Sequence, residues 1–245
     1  MDREKISAGS YDLNKWLAGG YEKEIITTIY GPAGSGKTNF CMLLSVSQAK
    51  KGSKVIYIDT EGGFSVERLK QIAQDKAEEV MARILLLKPT SFIEQQKAFG
   101  ALLNELKGKK EIGAIIIDSM TMLYRLELAE AAKSNNKKQI KEINSRLANQ
   151  MRTLAEISRK EHIPVIVTNQ VYSEFLSEEE FREGKEKKVA MVGGDILKYW
   201  SKCIIELQNL DGKKKAILVK HRSMPQKEFT FNIINTGILR TWRIF

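Results

Sequence analysis

Eight consecutive residues, Gly31-Pro32-Ala33-Gly34-Ser35-Gly36-Lys37-Thr38, set glycines, a lysine and a hydroxyl in Gly-x4-Gly-Lys-Thr spacing. Glycines let successive backbone N–H groups turn inward on a phosphate, and a helix that starts at the lysine adds positive potential at the same point. In that arrangement Lys37 reaches the β and γ phosphates and the Thr38 hydroxyl ligates magnesium. The run therefore predicts ATP and Mg2+ as cofactors. A ligand-free glycine turn is the competing reading, and the flanks oppose it: an apolar β-branched run precedes the loop and a helical pattern follows it.

Further polar residues sit at the ends of other apolar runs, where ligands of open α/β sheets bind. Ala114-Ile115-Ile116-Ile117-Asp118-Ser119 ends in a carboxylate expected to hold the magnesium, mostly through water; its structural alternative is to cap a helix over 120–128. The run 55–58 ends in Asp59-Thr60-Glu61-Gly62-Gly63, and Glu61 is the expected catalytic base, polarising the water that attacks the γ-phosphate. Asp59, two residues earlier at that strand end, remains open as its substitute. The run 163–168 leads into Asn169-Gln170, and Gln170 is the expected switch, hydrogen-bonding the γ-phosphate and reporting it to the loop that follows.

The elements that must hold these groups are legible in the periodicity. Apolar runs 25–30, 55–58, 84–87, 114–117 and 163–168 read as buried strands. Between them, 36–49, 65–79, 91–106 and 136–160 carry apolar residues at helical spacing, as in Ile140, Ile143, Leu147, Met151, Leu154 and Ile157. Such alternation predicts an α/β fold, a mostly parallel twisted sheet flanked by helices. After Asp195 the texture changes: 203–207 and 216–219 flank Asp211-Gly212, a hairpin signal, and 229–234 is strand-like. The C-terminal quarter is thus expected to be an antiparallel extension of the sheet. Segments 125–138 and 172–194 fit neither pattern and are expected to be functional loops.

The 245 residues suit a single domain spanning 1–245. No apolar stretch approaches the length of a membrane span, and Met1-Asp2-Arg3-Glu4-Lys5 lacks the core of a signal peptide. Cys41 lies between apolar residues and Cys203 opens an apolar run, as reduced thiols of a cytoplasmic protein would. The 40 Lys and Arg against 30 Asp and Glu give a formal charge of +10, which favours a polyanion such as nucleic acid. A heat-adapted surface rich in Lys and Glu would account for the same excess.

Taken together, Ile6-Ser7-Ala8-Gly9-Ser10-Tyr11-Asp12-Leu13-Asn14-Lys15-Trp16-Leu17-Ala18-Gly19-Gly20, the 31–38 loop, Asp118-Ser119, Val167-Thr168-Asn169-Gln170-Val171 and Gly193-Gly194-Asp195 resemble the RecA/Rad51 recombinase superfamily in its archaeal form. The match runs in the family's order over nearly the whole chain. It implies a RecA-like P-loop ATPase core, here expected to lack the helical DNA-binding domain that precedes the core in the main recombinases. It also implies an ATP-dependent DNA-binding protein of homologous recombination and repair, with 125–138 as the first DNA loop and 172–194 as the second.

In the second loop Glu174, Glu178, Glu179, Glu180, Glu183 and Glu186 nearly cancel Arg182, Lys185, Lys187 and Lys188. The first offers Lys133, Lys137, Lys138 and Lys141, with no acidic residue between Glu130 and Glu142. Lys198 and Lys202 flank Tyr199 and Trp200, a grouping that suits single-stranded DNA, where bases stack and phosphates pair, or simple packing of Trp200. Lys220 and Arg222 are the expected trans-acting residues, crossing to the ATP of a neighbouring copy in a homo-oligomer. The favoured function is a mediator or regulator of a RadA-type recombinase with weak DNA-dependent ATPase activity. The alternatives are an autonomous DNA-stimulated recombinase and a signalling ATPase that needs no DNA.

Overall fold

The structure, a computed structural model, describes residues 4–108, 111–173 and 189–241. A short antiparallel pair, β1 (Lys5–Ile6) and β2 (Tyr21–Glu22), encloses helix α1 (Tyr11–Trp16). The chain then alternates: β3 (Ile26–Gly31), α2 (Lys37–Lys50), β4 (Lys54–Asp59), α3 (Val66–Ala73), α4 (Ala77–Ala82), β5 (Ile84–Leu87), α5 (Phe92–Leu106) and β6 (Ile112–Asp118). It continues through α6 (Met122–Lys133), α7 (Lys137–Lys160), β7 (Val165–Ser173), β8 (Val189–Met191) and α8 (Gly194–Trp200). It ends in β9 (Cys203–Leu210), β10 (Lys213–His221), β11 (Lys227–Ile234) and β12 (Gly237–Arg240).

Among the described residues one sheet runs in the order β12-β11-β10-β9-β3-β7-β6-β4-β5, with β8 paired to the end of β7. From β9 to β5 neighbouring strands are parallel, and β10, β11 and β12 add antiparallel at the β9 edge. The expected α/β class and antiparallel extension are present. Strand alternation sorts β6 between two cores: Ala114 and Ile116 pack in a cluster with Phe40, Leu44 and Phe231, whereas Ile115 and Ile117 pack with Leu147, Met151 and Leu154. Both faces are therefore buried, and the parallel strands need apolar residues at every position.

Three expectations need correction. The helix over 65–79 is broken, because Gln74 takes φ 58° and a 3-10 turn separates α3 from α4. The break lets both pieces pack against α2. The expected loop 125–138 is mostly helix: α6 runs to Lys133, α7 starts at Lys137, and Ser134, Asn135 and Asn136 alone form the joint. Asn136 caps α7 by accepting the Gln139 N–H at 3.1 Å, so the polar run marks a helix start. The ends of segment 172–194 belong to the β7–β8 hairpin and α8. Its charged residues Glu174, Glu178, Glu179, Glu180, Arg182, Glu183, Lys185, Glu186, Lys187 and Lys188 lie outside the described residues.

Helix lengths place the α6–α7 joint. The 24 residues of α7 span about 36 Å, against about 23 Å for the seven residues of β6 beside it. Since α7 ends where β7 begins, its start overshoots the C-terminal edge of the parallel strands and carries the joint beyond it.

Candidate functional site

β3 delivers the 31–38 loop to the C-terminal edge of the sheet, and α2 starts at Lys37. Two of its glycines are sterically required. Gly36 precedes α2 at φ 104°, and a Cβ on Gly31 would stand 2.3 Å from the Leu207 carbonyl oxygen of β9. Lys37 is 6% exposed, and its Nζ donates to the carbonyls of Gly31 at 2.9 Å and Pro32 at 3.0 Å. Burial lowers the pKa of this ammonium, while the charges of Glu61 and Asp118 pull it back up. Ser35 Oγ is buried without a hydrogen-bond partner among the described residues. An ammonium resting on its own loop's carbonyls and an orphaned hydroxyl both fit an arriving phosphate, which would supply charge-assisted bonds.

The tip of the β9–β10 hairpin holds the loop from outside. Lys214 Nζ donates to the Gly34 carbonyl, and Asn209 Nδ2 to the Ala33 carbonyl at 3.2 Å. Beside it opens a cavity of about 610 Å³ lined in part by Gly34, Leu210, Lys213, Asn232 and Ile233, where Asn232 Oδ1 is buried and has no hydrogen-bond partner among the described residues.

Asp118 ends β6 at 2% exposure. Its Oδ2 accepts from Thr38 Oγ1 at 2.7 Å and Tyr57 OH at 2.9 Å, and its Oδ1 from Thr168 Oγ1 at 2.5 Å. Burial pushes the carboxyl above its ordinary pKa against the opposing effect of these three hydroxyls. The alternative capping role is absent: the cap position of α6 is Thr121, and the Asp118 oxygens are engaged by Thr38, Tyr57 and Thr168. Thr38 and Asp118 present adjacent oxygens, the donor set Mg2+ takes when phosphate and water complete an octahedron.

Asp59 and Glu61 separate cleanly. Asp59 is buried, with Oδ1 accepting from Gly63 N and Oδ2 from Phe64 N, both at 3.1 Å, so its carboxylate organises the turn that carries Glu61. Glu61 is exposed, and Gln170 Nε2 donates to its Oε2 at 2.9 Å. Parallel pairing sets Gln170 directly opposite Gly31. Sequence-distant Lys37, Thr38, Glu61, Asp118 and Gln170 thus converge on one edge.

The basic residues do not converge with them as a single surface. Lys133, Lys137, Lys138 and Lys141 are exposed around the α6–α7 joint. Lys198, Lys202 and Lys220 meet elsewhere: Lys220 Nζ donates to the Lys198 carbonyl at 2.8 Å, and burial together with nearby Lys202 lowers the Lys220 pKa. Tyr199 is 72% exposed and stands edge-on to Trp200, which packs on the α7 side of the core. Register fixes this cluster's location, because His221 pairs with Cys203 and Cys203 with Thr27, at the start of β3. Gly31 is four residues further along, about 13 Å away, so Lys220 and Arg222 lie at the sheet edge opposite their own phosphate loop. Arg222 Nε donates at 2.6 Å to Glu22, a carboxylate only 3% exposed.

Sequence reasoning missed Tyr57 and Thr168 as partners of Asp118. Strand alternation was the available signal for Thr168, which shares a face with Gln170. Nothing local announced Lys214, whose contact with the loop spans 180 residues of chain.

The Rad51 family model matches residues 3–241. A DNA repair and recombination protein RadB from Methanobrevibacter smithii is 38% identical over 244 residues, covering 97% of both chains. The protein of that name from Methanocaldococcus jannaschii is 40% identical over 226 residues, 92% of this chain and 98% of its own. That from Methanoculleus marisnigri is 36% identical over 240 residues, 97% and 99% of the two chains. A full-length match and this phosphate-loop geometry lead to one conclusion: the chain belongs to the Rad51 family, in its archaeal RadB branch.

Proposed function

We propose that this protein binds ATP with Mg2+ and uses it to switch DNA binding in homologous recombination and repair, acting as a mediator or regulator of a RadA-type recombinase. The relatives named for DNA repair and recombination support the setting. The observation that carries the switch is the Gln170–Glu61 hydrogen bond, 2.9 Å long, beside Gly31. A γ-phosphate offers the Gln170 amide a competing acceptor, so nucleotide arrival and departure rearrange the end of β7. While Gln170 holds it, Glu61 is not free to orient water, which fits slow hydrolysis.

Lys37 and the 31–38 amides take the phosphates, Thr38 and Asp118 take Mg2+, and the nucleoside enters the cavity beside Gly34. The metal would neutralise phosphate charge as the γ-phosphoryl group leaves. Lys133, Lys137, Lys138 and Lys141 contact single-stranded DNA, with Lys198 and Lys202 as a second patch. Lys220 and Arg222 reach a neighbouring copy's nucleotide in a homo-oligomer, a reading supported by their position at the edge away from the 31–38 loop of their own chain.

The test is a titration of single-stranded DNA across salt concentrations, with and without ATP and Mg2+, with phosphate release followed in parallel. Binding that weakens steeply with salt, responds to ATP and accompanies slow turnover supports the switch. Fast DNA-stimulated hydrolysis indicates an autonomous recombinase instead. Absence of DNA binding at low salt in either nucleotide state overturns both in favour of a signalling ATPase. Adding a RadA-type recombinase to the same assay and finding no change in its DNA loading overturns the mediator role.

A further inference from the structure

Strand β7 ends in Thr168, Asn169 and Gln170 before its hairpin, and side chains alternate faces along a strand. Thr168 and Gln170 turn to the nucleotide edge, where they meet Asp118 and Glu61. Asn169, between them, turns the other way and is fully buried. Its Oδ1 accepts from Thr121 Oγ1 at 2.5 Å, and its Nδ2 donates to the Val192 carbonyl at 2.7 Å. Thr121 is the cap residue of α6, and Val192 immediately precedes Gly193, the cap residue of α8. One amide therefore ties the starts of two helices to the strand whose next residue touches Glu61. The tie replaces an ordinary bond, since the Thr121 side chain makes no capping bond to α6. Backbone bonds run in parallel with it, from Met120 N to Thr168 O at 3.0 Å and from Val192 N to Gln170 O at 3.4 Å.

Both helices lead to basic residues. α6 runs into the joint with Lys133, Lys137, Lys138 and Lys141, and α8 carries Lys198 and Tyr199 and leads to Lys202. We infer that Asn169 is a positioning residue that transmits nucleotide occupancy from Gln170 and Glu61 to α6 and α8, and so to both lysine groups. This rests on the ATP-switched DNA binding proposed above. The position demands a donor and an acceptor on one short side chain in a buried site. An amide supplies both; a carboxylate cannot donate to Val192, and an aliphatic side chain can do neither. When Gln170 leaves Glu61 for a γ-phosphate, the strand end must carry both helix starts with it or strand a buried polar group.

Anisotropy of a labelled thymidine oligonucleotide, with and without ATP and Mg2+, reads the coupling as a ratio of affinities. For the wild-type protein a change of about fivefold or more is expected, the lower end of ordinary coupling between sites. In Thr121→Val and Asn169→Leu the ratio falls to within about twofold of unity, while affinity for a fluorescent ATP analogue and for DNA without nucleotide each stay within about twofold of wild type. Thr121→Ser keeps the hydroxyl and retains the ratio. An unchanged ratio in Thr121→Val and Asn169→Leu overturns the role of Asn169 alone. A wild-type protein whose DNA affinity ignores ATP overturns it together with the switch.

Hydrogen exchange on the wild-type chain keeps the test independent of variant folding. A non-hydrolysable ATP analogue is expected to alter protection in the first turns of α6 and α8 and to leave that of α5 unchanged. No change at α6 and α8 overturns the inference.

Discussion

At the scale of the residue, Asp118 is, on the proposed reading, the group at which proton and metal would compete. Its carboxyl pKa is raised by burial, so the folded protein takes up a proton at a pH where the unfolded chain would not. In the metal-free protein this group favours the fold below its unfolded pKa, and that contribution is lost as pH rises through the raised folded value. Magnesium needs the carboxylate, so affinity for ATP with Mg2+ should rise with pH through that same range and level off above it. Calorimetric titration across a pH series that starts in the ordinary carboxylate range checks this, and a profile with no rise anywhere above that range would count against Asp118 as a metal ligand. Glu61→Gln, by contrast, should leave nucleotide affinity nearly unchanged and slow phosphate release by about 10²–10⁴-fold, the usual worth of a general base. Retained turnover in Glu61→Gln would remove Glu61 from the chemistry, and Asp59 could not replace it with both oxygens bound to backbone amides.

Arg222 has a residue-scale consequence of another kind. It is the hydrogen-bonded counter-charge of buried Glu22, with His221 Nε2 3.5 Å from the other carboxylate oxygen. Arg222→Ala should therefore cost about 3 kcal/mol of stability, since it leaves a buried carboxylate without its cation. Chemical denaturation measures it, and an unshifted midpoint would show that Glu22 finds compensation. Loss of turnover in this variant alone would not establish a trans-acting role. Lys220→Ala is the cleaner probe, because among the described residues the one hydrogen bond of its Nζ goes to the Lys198 carbonyl.

At the scale of the element, the α6–α7 hairpin decides what the lysines can touch. Asn136 caps α7 and holds the turn that presents Lys137 and Lys138. Asn136→Ala should cost about 1 kcal/mol, a fall in Tm of about 2–4 °C for a chain of this size. Calorimetry checks that shift, and an unchanged Tm would mean the cap carries no weight. Strands and most helices were legible in the sequence, because burial on both faces leaves apolar runs such as 114–117 with no other reading. The α6–α7 joint was not, because Ser134, Asn135 and Asn136 signal a break without giving its length. Polar residues at a helix cap and in a long loop look alike until their hydrogen bonds are known.

At the scale of the whole molecule, two of the lysine groups behind the formal charge of +10 stand apart. The joint's lysines project beyond the nucleotide edge, and Lys198, Lys202 and Lys220 lie towards the opposite one. A single short strand of DNA is thus expected to use one group at a time. Replacing Lys137 and Lys138 with Ala should weaken single-stranded DNA binding across sequences and reduce the log–log salt slope by about 1.4, near 0.7 for each lost phosphate contact. Anisotropy at several salt concentrations measures it, and an unchanged slope would move DNA contact away from the joint.

The sequence by itself determined the phosphate loop, the strand–helix alternation and the carboxylates at strand ends, because each depends on residues adjacent in the chain. Gly31 to Thr38 needed only its own spacing and flanks to be read as a phosphate cradle. Tertiary structure alone decided that Asp59 braces a turn while Glu61 meets Gln170, and that Lys214 reaches back to Gly34. It also decided that Lys220 sits away from its own phosphate loop and that Asn169 joins two helix starts. The physical reason is shared: which face a side chain takes at a strand end, and which distant backbone it meets, follow from sheet register, and register is set by packing across the whole core.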